Sequence, residues 1–108
     1  MRDNRSGGAL TETTFLILLS TYTPKHGYAI MQFIELETNG RVLLGAGTLY
    51  GAINSLLDKK WIISTGASEP GSNKKDYEIT PLGRMIVERE IARIHELYSM
   101  AKKITDDL

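Results

Sequence analysis

At 108 residues, 42% hydrophobic and 24% charged, the chain has the makeup of one soluble domain with one modest core. Thirteen Lys and Arg balance thirteen Asp and Glu. A formal net charge of zero argues against an all-basic nucleic-acid coat, while leaving local patches open. With no cysteine, disulfides, thiolate zinc sites and Cys nucleophiles are excluded, and two histidines (His26 and His95) are too few for a His-rich metal centre. The longest apolar stretch, Phe15 to Leu19, is far short of the roughly 20 residues that span a bilayer. Arg2 and Arg5 are followed by no signal-peptide pattern, so a cytoplasmic protein without a cofactor is the expectation.

Residues 1–9 are polar and Gly-rich and read as a flexible arm. The first predicted helix covers about Thr11 to Thr21. Thr11 is placed to cap it, Glu12 complements its dipole, and Pro24 ends it. Phe15, Leu16, Leu18, Leu19 and Tyr22 spread over more than half its circumference, which calls for burial. A second helix is expected from about His26 to Thr38. Ile30, Phe33 and Ile34 form its i, i+3, i+4 stripe, and Asn39-Gly40 stops it. His26 is read as a helix-start residue, not a catalytic one.

The third helix is expected from near Ala46 to near Lys59. Leu49, Ile53, Leu56 and Leu57 share one face; Thr48, Tyr50, Gly51, Asn54, Ser55 and Asp58 share the other. That outward face is small, polar and aromatic. The period then changes: Trp61 to Thr65 and Lys75 to Thr80 read as strands joined by a turn-rich loop, with Trp61 as a core anchor. Thr80-Pro81 opens a last helix running to about Thr105. Its apolar band includes Ile86, Val87, Ile91, Ile94, Leu97, Tyr98, Met100, Ala101 and Ile104, with Glu88, Glu90, Arg93, His95 and other polar residues placed off it. About 25 residues at about 1.5 Å each outrun so small a body, so the far half calls for a partner.

The fold class is therefore mainly α with a small β-hairpin (α+β). Three helices, a hairpin and a long helix is the order of a winged helix-turn-helix with an added C-terminal helix. Glycines at positions 40, 45 and 47 suit a compact turn between helices two and three. Helix three has the surface of a helix that enters a major groove, and Lys74 and Lys75 beside Ser72 and Asn73 suit a wing lying along phosphates. Residues 41–77 hold five basic groups against three acidic ones, a surplus of two; residues 78–108 hold five against six.

Three segments, His26-Gly27-Tyr28-Ala29-Ile30, Gly47-Thr48-Leu49-Tyr50 and Tyr77-Glu78-Ile79-Thr80-Pro81-Leu82-Gly83, resemble the PadR family of transcriptional regulators in order and spacing. The resemblance covers about residues 10–108 and points to the short subclass with a single C-terminal helix. It implies a winged helix-turn-helix over 10–80, a dimerisation helix over 81–108, and a homodimeric repressor of double-stranded DNA that answers to a small aromatic or drug-like effector. Carried onto this chain, DNA contacts would fall to Tyr28, Thr48, Tyr50, Asn54, Ser55, Lys74 and Lys75. The dimer interface would use Ile91, Ile94, Leu97, Tyr98, Ala101 and Ile104. Phe15, Leu19, Tyr98 and Met100 are the candidates for an effector pocket, since the last helix has no tryptophan on which a planar molecule could stack.

Three features depart from the family pattern: Lys60-Trp61 stands just before the first wing strand where a glycine is common, the wing carries Lys in place of several Arg, and Gly45-Ala46 offers no side-chain cap. A winged helix that binds protein and has no operator is the alternative that zero net charge leaves open. An enzyme finds no support, because no nucleophile–base pair, paired carboxylates or phosphate-binding glycine loop is present.

Overall fold

The computed structural model describes residues 8–67, 69–71 and 74–107; of the expected N-terminal arm, residues 1–7 fall outside it, as do Ser72 and Asn73 of the wing. Its elements follow in chain order: α1 (Glu12–Ser20), α2 (Gly27–Glu37), α3 (Ala46–Asp58), β1 (Ile62–Ala67), β2 (Lys75–Ile79) and α4 (Pro81–Asp106). This is the α+β winged-helix order with a long last helix.

The helix boundaries follow from local chemistry. Thr11 Oγ1 accepts the Thr14 amide at 3.2 Å and Thr80 Oγ1 accepts the Gly83 amide at 3.0 Å, so both predicted caps form. At the end of α1, Ser20 and Thr21 are fully buried, yet their hydroxyls donate to the carbonyls of Ile17 and Leu18 at 2.6 and 2.9 Å. Lys25 Nζ donates to the Ser20 carbonyl at 2.8 Å, closing the helix with a cation at its negative end.

Helices α2 and α3 stop in the same way. In each, a residue in the left-handed region lets two amides reach back: Asn39 to Leu36 and Gly40 to Glu35 in one, Lys60 to Leu57 and Trp61 to Leu56 in the other. The left-handed residues are Asn39 (φ 51) and Lys60 (φ 61).

The strands pair antiparallel, with Ile62 opposite Ile79 and Ser64 opposite Tyr77, and a bulge lies between Ser64 and Gly66. A third short segment joins β2 on its other side. Lys25 and Tyr77 exchange backbone hydrogen bonds at 3.1 and 2.8 Å, and the Ile79 amide donates to the Thr21 carbonyl at 2.9 Å. The hairpin is thereby stitched to the α1–α2 connection, which a two-stranded ribbon needs for stability.

The core gathers Ile17 and Leu18 of α1, Ile30 and Ile34 of α2, Leu49, Ile53 and Leu56 of α3, then Trp61, Ile62, Ile79, Ile86 and Val87. Each fully buried aliphatic contributes about 1.5–3 kcal/mol. Gly83 sets how α4 leaves this body: a Cβ there would overlap the Trp61 carbonyl oxygen. Past Glu90 no residue of α4 is buried.

Candidate nucleic-acid interface

The outward face of α3 matches the sequence reading. Thr48, Tyr50, Asn54 and Ser55 are all exposed while Leu49, Ile53 and Leu56 are buried behind them. As the absence of a capping side chain at Gly45 implies, α3 starts without a hydrogen bond from its N-cap side chain.

Tyr28 and Tyr50 are 58% and 44% exposed, so Tyr28 does not pack beneath α3. Tyr50 does lean on the first turn of α2: a Cβ on Gly27 would overlap the Tyr50 hydroxyl. The two helices of the motif thus meet through a phenol lying on a glycine.

These residues share a cleft of about 380 Å³ with the wing, lined by His26, Gly27, Tyr28, Tyr50, Lys74, Lys75 and Tyr77. Lys74 precedes β2 and Lys75 opens it, paired with Ala67, so both stand at the base of the second strand and not at the loop tip. His26 caps α2 with its ring: Nδ1 accepts the Ala29 amide at 3.2 Å. Burial, and after it the neighbouring Tyr50 phenol, raises the Tyr77 pKa above its ordinary value. Four of the seven expected DNA-contact residues (Tyr28, Tyr50, Lys74, Lys75) therefore meet in one cleft, while Thr48, Asn54 and Ser55 lie exposed on α3. His26 and Tyr77 complete the cleft and were not among the expected contacts. Their place beside Lys75 depends on the Lys25–Tyr77 pairing, which joins segments some fifty residues apart in the chain.

The expected interface residues Ile91, Ile94, Leu97, Tyr98, Ala101 and Ile104 are all exposed. Val87, Glu90, Ile94, Leu97, Ala101 and Ile104 follow one another at spacings of three and four. The stripe that the chain buries at Val87 thus continues uncovered to the end of α4. Glu90 belongs to this stripe, although the sequence placed it off the apolar band. It is 5% exposed, accepts the Leu10 amide at 3.4 Å and is held by Arg93 at 2.6 Å. The Arg93 hydrogen bonds lower its pKa, outweighing the effect of burial.

The four candidate effector residues are not gathered by a single chain. Phe15 lines a cleft with Leu10, Leu16, Glu90, Arg93 and Ile94, Leu19 packs against the core, and Tyr98 and Met100 stand exposed. His95 is exposed, as expected, and Trp61 is buried. Among the described residues no group of acidic and histidine side chains could hold a metal, and no helix is long and apolar enough to cross a membrane.

Comparisons with known proteins bear on this geometry. A transcriptional regulator from Clostridium thermocellum superimposes with a TM-score of 0.65 at 23% identity, over 99% of this chain and 98% of that one. A PadR family transcription regulator from Clostridium difficile gives 0.71 at 21% identity, over 86% and 97%. One from Eggerthella lenta gives 0.71 at 24%, over 85% and 80%. At these identities the likeness establishes the fold. No curated protein matches the sequence significantly. The profile of the family described as "Transcriptional regulator PadR-like family" matches residues 15–89. Since that match takes in both helices of the DNA-binding motif, the wing and the root of the last helix, the chain belongs to the PadR-like family of DNA-binding transcriptional regulators, which are not enzymes.

Proposed function

We propose that this regulator is a homodimeric repressor that binds a pseudo-palindromic operator. Each α3 enters a major groove through Thr48, Asn54 and Ser55, and each wing lays Lys74 and Lys75 on the flanking backbone. The α4 stripe from Ile91 to Ile104 clasps the same stripe of a second chain. The two α3 helices then stand about 34 Å apart, one helical turn of DNA. A small aromatic or drug-like effector bound between the protomers, against Phe15, Leu19, Tyr98 and Met100, releases the operator by favouring another angle between the two reading heads.

The observation that carries this reading is the bare apolar stripe of α4 on the same molecule as the exposed polar face of α3 and its basic cleft. A regulator with two identical heads needs both surfaces. Fluorescence anisotropy on duplex DNA at physiological salt, with unlabelled nonspecific duplex as competitor, tests it. Retained binding to a selected site under excess competitor is expected. Complete displacement would leave a winged helix with no operator and would favour a protein partner.

A further inference from the structure

We infer that the cleft at the start of α2 is a seat for one phosphodiester of the DNA backbone, with His26 as a neutral hydrogen-bond donor that fixes how deep α3 sits in the groove. This rests on the DNA-binding reading and adds a residue and a ligand group to it.

The argument starts from the tautomer. His26 Nδ1 accepts the Ala29 amide at 3.2 Å, so in the neutral ring the proton is on Nε2. The ring nitrogen that remains can only donate. The ring is held by the cap and lines the cleft, so its position is set before any ligand arrives. The rest of the lining points the same way. Lys74 and Lys75 carry donors only, Tyr28, Tyr50 and Tyr77 bring phenol hydroxyls, and among the described residues no Asp or Glu lines the cleft. The cleft opens at the first turn of α2, whose dipole adds positive potential there.

A base edge carries no net charge, and only guanine presents acceptors alone in the major groove. A phosphodiester presents acceptors alone and a charge. A chain with no net charge that gathers two lysines, a donor-only imidazole and a helix start at one cleft matches the second ligand. Such a contact carries no base information. It sets register and orientation, leaving discrimination to Asn54 and its neighbours on α3.

His26→Ser tests this without removing the cap, because a serine oxygen can accept the same amide. Melting temperature should stay near that of the parent chain. Affinity of the dimer for duplex DNA should fall about a hundredfold, because each protomer loses one hydrogen bond to a charged group. The slope of log affinity against log salt should not change, because a neutral donor releases no counterion. A single neutral methylphosphonate placed along each half-site should weaken the parent chain most at one position and weaken His26→Ser less there, since the lysines still face that phosphate. If His26→Ser fails to fold, His26→Asp keeps a strong cap and adds a negative charge, and should lose more than a hundredfold.

A folded His26 variant that binds as tightly as the parent would overturn the phosphate seat and leave DNA binding standing; a parent chain that binds no duplex would overturn the reading beneath it. Inorganic phosphate at constant ionic strength should not displace DNA. Displacement from the parent but not from His26→Ser would assign the cleft to a soluble anion instead.

Discussion

A Cβ on Gly27 would overlap the hydroxyl of Tyr50. One missing carbon therefore decides where an aromatic ring on α3 stands. Gly27→Ala should push Tyr50 out of its seat and cost about 1 kcal/mol, the low end of overpacking, because the half-exposed ring can swing aside. DNA affinity should fall with it, and Gly27→Ala combined with Tyr50→Phe should recover part of the stability. Thermal melts and anisotropy titrations of the three variants check this. A Gly27→Ala chain as stable and as tight as the parent would remove the contact from the account.

Lys60 takes a left-handed conformation (φ 61) at the stop of α3, a backbone region that favours glycine. The left-handed region costs a side-chain-bearing residue about 1–2 kcal/mol. Lys60→Gly relieves that strain but gives more freedom to the unfolded chain, so a net gain of about 0.5–1 kcal/mol is expected. The melting temperature, measured at one protein concentration, should rise by a few degrees.

The Glu90 carboxylate, buried against Leu10 and Arg93, should show in the acid limb of stability. The Arg93 hydrogen bonds depress its folded pKa, so its stabilisation is fully present above the ordinary carboxylate range and fades as pH falls through the lower folded value. Glu90→Gln should cost about 1–3 kcal/mol at neutral pH and should flatten the fall in stability between about pH 5 and pH 3. Urea unfolding at three pH values separates this from a general packing loss, which would lower all three equally.

How much of this was legible in the sequence follows from the range of the forces involved. Thr11, Pro24, Thr80-Pro81 and the apolar period of α3 act within a turn of where they stand, so they place their helices to within a residue or two. The length of α4 is legible too, in the apolar band that runs unbroken from Ile86 to Ile104. The helix stop at Lys60 carries no glycine to mark it, and the Gly27–Tyr50 contact joins residues from two helices. Glu90 looked like a surface charge because its spacing from Val87 and Ile94 matters only once Arg93 and the Leu10 amide are seen to satisfy it. The Lys25–Tyr77 pairing that builds the cleft joins segments far apart in the chain, and no local pattern reports it.

The α4 stripe gives a paired prediction. Ile94 is 42% exposed on the stripe and Met85 is 63% exposed off it. Ile94→Glu should yield monomers in light scattering, because a charge would enter the apolar seam; Met85→Glu should leave the assembly intact. Equal effects from both would place the interface elsewhere.

The central claim is that two copies of this chain read one duplex together through α3 and the wing. Selection of binding sites from a random duplex pool, followed by measurement of the mass of the complex, tests it most directly. The account predicts an inverted repeat with half-site centres about 10 base pairs apart, carrying two chains. A selected single half-site that holds one chain would contradict it.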